Sequence, residues 1–265
     1  MYRGKKVAAI IAAAGSGKRM GISGVNKVYM ELAGKAVLAR TLSAFEGHPA
    51  IDEIVVAVKT DEMELGRRLI KENGFQKVTV LTEGGKERQD TVDAAVRHLS
   101  EDTQLVLIHD GARPLVDGET IEKTVEAASR FGAAAAGVAV KDTIKITQTQ
   151  DLGEEGMCRW ISETPERSLL WAMQTPQGFE VSLLRQALGE AKKNGFYGTD
   201  EAVLVEKIGK KVFIVQGKYD NIKVTTYEDI AIAEALLHLR ENAAETKPRL
   251  LRKGEEEGYE SWNRI

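Results

Sequence analysis

The stretch "AAIIAAAGSGKRMG", residues 8–21, decides the fold. Residues 7–13 are apolar at every position, which suits a strand buried on both faces rather than one alternating toward water. A strand that empties into a glycine-rich turn commonly meets a phosphate, because such a turn presents backbone N–H groups. Neither familiar phosphate motif fits. The dinucleotide fingerprint G-x-G-x-x-G matches Gly15 and Gly17, then meets Met20 where its third glycine belongs. The ATPase loop requires four residues between its glycines and then Gly-Lys-Ser/Thr, whereas Gly15-Ser16-Gly17 is followed by Lys18-Arg19. What remains is a tight backbone cradle followed by cations at Lys18, Arg19 and Lys27, an arrangement suited to neutralising a polyphosphate. A sharp strand-to-helix turn without a ligand is the plain alternative.

Outward from this stretch, β-rich apolar runs recur at 53–59, 77–81, 104–109, 133–140 and 211–216. Helix-period segments at 35–46, 62–73, 87–99, 118–131, 181–194 and 227–242 separate most of them, and Gly74, Gly132 and Gly195 stand where helices should stop. The alternation predicts an α/β fold with a doubly wound, mostly parallel sheet covered on both faces. Ligands of such sheets bind at the carboxyl ends of the strands. Residues 141 to about 173 break the pattern with short β-like pieces around a Gly-Glu turn, and they read as a projecting hairpin arm. The last stretch, 243–265, is polar and aperiodic and reads as a loose tail after a single domain over 1–242.

At 265 residues and 43% hydrophobic content the chain can bury a full core. With 37 basic against 40 acidic residues the net charge is −3, so no polycationic surface for nucleic acid is present and small anions need local basic pockets. The single Cys158 excludes internal disulfides, and four scattered histidines lack zinc spacing. With no apolar run of membrane-spanning length and no signal-like start, a cytoplasmic enzyme is the expectation.

Several further pieces could carry chemistry. "LIHDGARPL" (107–115) ends a buried strand in Asp110, where an acid faces the ligand edge and could hold Mg²⁺ near phosphates, or could merely form a turn. "EGGKERQDTV" (83–92) puts a second glycine turn beside the first strand, able to admit a flat base. "MQTPQGF" (173–179) is made rigid by its proline; in 197–209 Thr199 stands where it would cap a helix, and Asp200 and Glu201 read as helix-start charges. Lys223 lies on an irregular stretch before the last helix, where Thr226 can cap.

Together these motifs resemble one family closely, the 2-C-methyl-D-erythritol 4-phosphate cytidylyltransferases of the non-mevalonate isoprenoid pathway. The resemblance runs from Val7 to about Leu239 and rests on "AAGSGKRMG" with Lys27, "GGKERQDTV", "HDGARP", "DTIK", "ERSLLWAMQTPQGF", "TDEA" and "NIKVTTYEDI" in order and spacing. It implies a nucleotidyltransferase-like, Rossmann-like sheet with a β-arm, and transfer of CMP from CTP to 2-C-methyl-D-erythritol 4-phosphate with Mg²⁺. By motif, Arg19 and Lys27 correspond to the cations that stabilise the transition state, while the backbone of Ala13, Ala14, Gly15 and Gly17 lies over the nucleotide. Gly85 and Thr91 correspond to the cytosine and ribose grip, Asp110 approaches metal and substrate, and Thr143, Arg167, Thr175 and Lys223 surround the sugar phosphate. Thr143 and Arg167 belong to the arm, which in the family reaches the partner's site in a homodimer.

The chain departs from the family where Pro-Lys-Gln-Tyr is usual and Asn26-Lys27-Val28-Tyr29 stands, so a less rigid loop around Lys27 is expected. Lys86 and Thr91 replace the usual Asp and Ser of the base loop, which alters the expected cytosine contacts. A ribitol-5-phosphate cytidylyltransferase and a non-catalytic nucleotide-binding module are the alternatives.

Overall fold

The computed structural model describes residues 1–15, 26–153 and 156–242. Gly17 and Arg19, and the tail 243–265, lie outside the described residues. Strand β1 (Lys6–Ala12) is followed by a small hairpin, β2 (Glu31–Leu32) and β3 (Lys35–Ala36), and then by α1 (Val37–Glu46). The units β4 (Glu53–Val58), α2 (Met63–Asn73), β5 (Val78–Glu83), α3 (Arg88–Val96), β6 (Thr103–Asp110), α4 (Gly118–Phe131) and β7 (Ala133–Ala139) continue the alternation. After a ribbon of β8 (Ile146–Asp151) and β9 (Met157–Glu163) come β10 (Trp171–Glu180), α5 (Val181–Lys193), α6 (Glu201–Lys207), β11 (Phe213–Gln216) and α7 (Tyr227–Glu241).

The main sheet has seven strands in the order β11-β7-β10-β6-β1-β4-β5, and only β10 runs antiparallel to its neighbours. β1 lies between β6 and β4, in register with both, so its carboxyl end opens at the sheet's centre. Its side chains divide by parity. Val7, Ala9 and Ile11 pack with Leu42 and Phe45 of α1 and with Ile121 and Val125 of α4. Ala8 and Ile10 pack with Val92 of α3 and with Leu184 and Leu188 of α5. An all-apolar strand is thus accounted for by two cores, one on each face. A third, smaller cluster seats α7 through Ala233 and Val224 against Leu32 and Leu115. Among the described residues no helix is long and apolar enough to cross a membrane.

Two expectations need correction, and one strand had no counterpart in the sequence reading: the proline-stiffened stretch around Pro176 is part of the ten-residue strand β10. Its ladder with β7 breaks between Met173 and Gln177, where a proline without an N–H can be tolerated, and resumes through Gly178. The arm is accordingly shorter than 141–173: Trp171, Ala172 and Met173 pair with Ala139, Val138 and Gly137 inside the main sheet. The cap of α6 is Asp200, whose side chain accepts from the Val203 N–H, and not Thr199. Thr226 does cap α7, in a capping box with Asp229.

Gly178 marks where β10 passes under α4. A Cβ there would lie 2.8 Å from Leu107 Cδ2 and 3.0 Å from both Ala128 Cβ and Thr124 Cγ2. Gly178→Ala should therefore cost about 1–3 kcal/mol of stability by overpacking. Urea denaturation checks this, and an unchanged midpoint would show that the contact yields freely.

Candidate active site

Five chain segments converge at the carboxyl edge of the sheet around a cavity of about 470 Å³. The end of β1 brings Ala13, Ala14 and Gly15; the turn after it brings Lys27; the 84–91 loop brings Gly85, Lys86, Arg88 and Thr91; Asp110 and Lys223 close the far wall. The placement follows from the parallel register: Ala12 and Asp110 are partners across β1 and β6. The Gly111 N–H donates to Ala12 O at 2.9 Å, and the Gly84 N–H to Val58 O at 2.7 Å, so both loops start from the same level.

The glycine turn at 84–85 is held by local bonds. Thr91 is buried, and its hydroxyl accepts from the Gly85 N–H and donates to Glu87 O, each at 3.1 Å. Glu87 and Asp90 form a capping box that starts α3. A Cβ on Gly84 would collide with the Cβ of Ala14, which is why the two loops can close on one another only with glycine there. The hydroxyl at Thr91 thus braces the loop that carries Gly85, and Lys86 lies on the cavity wall beside it.

Asp110 is 7% exposed and sits among three cations. Its Oδ2 is 2.7 Å from Lys223 Nζ and 3.5 Å from Arg113 Nε, and its Oδ1 accepts from Arg88 Nε at 3.2 Å. Burial alone would raise the carboxyl, but Arg88, Lys223 and Arg113 outweigh it and hold Asp110 well below the usual carboxylate range. Arg88 is in turn gripped by Glu201: one guanidinium nitrogen lies 2.6 Å from both carboxylate oxygens of a fully buried side chain. Burial lowers Arg88, and Glu201 followed by Asp110 more than reverse this, so it stays charged. Glu201 and Arg113 are functional neighbours that sequence reading missed. The acid at 201 read as a helix-start charge, and only the pairing of α3 with α6 across 113 residues reveals its partner.

Thr175 does not line the cavity. It is 4% exposed, accepts from the Asp110 N–H at 3.1 Å and contacts His109 Nδ1 at 3.0 Å. Through these bonds Thr175 braces the strand end that carries Asp110. His109 is fully buried and its Nε2 faces Arg113 O at 3.2 Å, so a single neutral tautomer serves both partners: Thr175 donates to Nδ1 and Nε2–H donates to the carbonyl. Thr143 and Arg167 are exposed and do not line the cavity, with Arg167 Nη1 donating to Lys141 O at 3.0 Å. Lys223 reaches Asp110 because its loop is tied down: Val224 N–H donates to Ala112 O at 2.8 Å and Asn221 Nδ2 to Thr175 O at 2.9 Å.

The turn at Lys27 is better fastened than its sequence suggests. Asn26 accepts from the Val28 N–H at 3.4 Å, and its Nδ2 donates to Ala13 O at 3.3 Å and to Glu62 Oε2 at 2.8 Å. Where proline is absent, the Asn26 side chain supplies these fastenings to the described part of the loop. Among the described residues no three His, Cys, Asp or Glu side chains cluster as a metal cage.

A family model for IspD, 2-C-methyl-D-erythritol 4-phosphate cytidylyltransferase, matches residues 7–239. The chain is 43% identical over 231 residues to the 2-C-methyl-D-erythritol 4-phosphate cytidylyltransferase of Clostridioides difficile, covering 87% of this chain and 93% of that one. It is 46% identical to the protein of the same name from Bacillus cereus, covering 87% and 97%. Among solved structures, the 4-diphosphocytidyl-2C-methyl-D-erythritol synthase of Anaerococcus prevotii superposes with a TM-score of 0.75 at 30% identity, over 89% of this chain and 97% of that one.

Burial drives the His109 imidazole down to about 3 from its ordinary 6.5. The unfolded chain takes up a proton there between those values and the folded chain does not, so this residue makes stability fall as pH drops below 6.5. Its share of the slope approaches about 1.4 kcal/mol per pH unit. His109→Asn should flatten the dependence of urea stability on pH between about 4.5 and 6.5; an unaltered slope would place the proton uptake elsewhere.

Proposed function

This chain belongs to the 2-C-methyl-D-erythritol 4-phosphate cytidylyltransferase family, and from that premise we propose how its cavity works. It is an enzyme that transfers CMP from CTP to 2-C-methyl-D-erythritol 4-phosphate, releasing pyrophosphate, in isoprenoid precursor biosynthesis. The supporting observation is one cavity that joins a glycine-rich backbone edge to Lys27, Arg88 and Lys223 at the carboxyl ends of a doubly wound sheet.

In our reading an oxygen of the sugar phosphate attacks the α-phosphorus of CTP in line; the new P–O bond forms as the bond to the pyrophosphate oxygen breaks. The attacking group is already anionic near neutral pH, so no protein nucleophile is needed and the protein's work is positioning and charge neutralisation. Lys27, with Arg19, faces the charge that grows on the α-phosphate. The backbone of Ala13, Ala14 and Gly15, with Gly17, cradles the nucleotide, and Gly85 and the Thr91-braced turn receive the cytosine. Lys223 and Asp110 hold the acceptor side.

Mg²⁺ is the proposed cofactor. The donor set suits a cation that arrives on the triphosphate and takes one or two carboxylates, not one caged by protein, and Asp110 is the carboxylate in place. When bound, the ion would neutralise phosphate charge; Asp110, whose two oxygens are held by Lys223, Arg113 and Arg88, would share one of them with the ion.

We further propose a homodimer built on the arm. Every residue of β8 and β9 is exposed, including Ile146, Trp160 and Ile161, and a lone two-stranded ribbon is marginal in water. Thr143 and Arg167 would then serve the site of the partner. The same reading includes a cytoplasmic location, in keeping with the exposed free thiol of Cys158.

Pyrophosphate release should require CTP and methylerythritol phosphate together, with ribitol 5-phosphate a poor acceptor. Lys27→Ala should lower kcat by on the order of a hundredfold to a thousandfold with the fold intact. Turnover of ribitol phosphate at equal efficiency would reassign the acceptor, and an active Lys27→Ala would remove that residue from the chemistry. For the dimer, inactive Arg167→Ala mixed with inactive Lys27→Ala under subunit exchange should recover about a quarter of full activity, because half the dimers are mixed and each holds one intact site. No recovery despite mixed dimers in native mass spectrometry would confine Arg167 to its own chain.

A further inference from the structure

The short turn that carries Lys27 spans Lys27–Tyr29 and is entered through Asn26. Asn26 is 6% exposed, and its carboxamide reaches three ways: its oxygen caps the turn at the Val28 N–H, one Nδ2 hydrogen goes to Ala13 O on the cavity wall, and the other goes to Glu62. Glu62 lies before α2, in the connection that leaves β4. Its side chain is 12% exposed; one oxygen takes Asn26 Nδ2 at 2.8 Å and the other lies 3.5 Å from Lys59 Nζ. The exit of the turn is bound as well, through Val37 N–H to Met30 O at 2.9 Å and Tyr29 OH to Glu62 O at 3.5 Å.

Glu62 does not line the cavity, yet it accepts the strongest of the bonds made by the side chain that fixes the Lys27 turn. We propose that Glu62 is a positioning residue for the transfer reaction: acting through Asn26, it locks the Lys27–Tyr29 turn against the end of β1 so that Lys27 is presented in one place. This deepens the reading above and rests on Lys27 as the cation at the triphosphate. Without the carboxylate, one hydrogen of a buried amide loses its acceptor, and the amide gains by rotating away from Ala13 and Val28. Lys27 would keep its charge and lose its address.

The backbone supplies an independent check. Asn26 sits at φ −73° and ψ 131°, within reach of proline, and its own N–H has no hydrogen-bond partner among the described residues. Proline there would fix the entry to the turn through the chain itself, with no need of Glu62. Four proteins are compared: the natural chain, Glu62→Ala, Asn26→Pro and the double variant. Glu62→Ala should lower kcat between about tenfold and a hundredfold while leaving KM for CTP within about twofold, as misplacement of a charge-neutralising group does. The double variant should match Asn26→Pro alone. Glu62→Gln, whose amide oxygen still accepts from Asn26, should recover most of the loss, and it substitutes for Glu62→Ala should that variant fail to fold.

Hydrogen exchange at the Tyr29 and Met30 amides, which donate to the backbone oxygens of Asn26 and Lys27, gives a readout free of turnover: faster in Glu62→Ala, restored in the double variant. A full additive loss in the double variant, or undisturbed kcat and exchange in Glu62→Ala, overturns the proposal. If the natural chain shows no cytidylyl transfer, the functional reading fails while the exchange data still decide the latch.

Discussion

The carboxylate of Asp110, closed in by Lys223, Arg88 and Arg113, is the interaction on which the site depends. It joins the end of β6, the start of α3 and the loop before α7, three parts of the chain far apart in sequence. A carboxylate this buried persists only because it is paired, and the cations around it persist for the same reason. Glu201 completes the balance, with two carboxylates against three cations, so the cluster keeps a positive excess toward the cavity. That excess suits a site for two phosphorylated substrates.

Behind this cluster stands a neutral chain of bonds. The backbone N–H of Asp110 donates to the Thr175 hydroxyl, that hydroxyl donates to His109, and His109 donates to the carbonyl of Arg113. Each group is buried and each is satisfied, which rigidifies the turn from Asp110 to Arg113. The inserted antiparallel strand β10 makes this possible, since it delivers Thr175 and Gln177 alongside β6. Gln177 goes on to bond the Asp200 side chain at 2.8 Å and the Ala202 N–H at 3.1 Å, which fixes the first turn of α6 and with it Glu201. One strand therefore braces Asp110 from behind and Arg88 from the side.

The nucleotide edge is built on a different principle. There the backbone itself forms the wall, and the side chains nearby serve to hold backbone in place: Thr91 for the Gly85 turn, Asn26 for the Lys27 turn. Such an edge binds through groups that every residue possesses, so its specificity lies in close approach, as the tight contact between Gly84 and Ala14 illustrates. The two halves differ in kind, one a wall of backbone and the other a cluster of buried charge; under the proposed function the first takes the nucleotide and the second the sugar phosphate.

The sequence alone determined whatever depends on local pattern. The all-apolar run before Gly15 marked the central strand, because a strand covered on both faces cannot alternate. The glycines after α2 and α4 marked helix ends, because Gly74 and Gly132 adopt positive φ of 66° and 83° there. Asp110, Lys27, Gly85 and Lys223 were legible for the same reason: each follows a strand or precedes a helix, and the parallel topology sends all such junctions to one edge. Only the tertiary structure decided the rest. β10 was illegible because Pro176 and Gly178 look like a turn until a broken ladder is seen to accommodate them. Glu201 read only as a helix-start charge because its partner Arg88 is distant in sequence, and the bonds of Thr175 to Asp110 and His109 are set by what packs over its hydroxyl. Patterns of period two and 3.6 report which face is buried. They do not report which buried polar group meets which, because those pairings are chosen by the packing of strands and helices far apart in the chain.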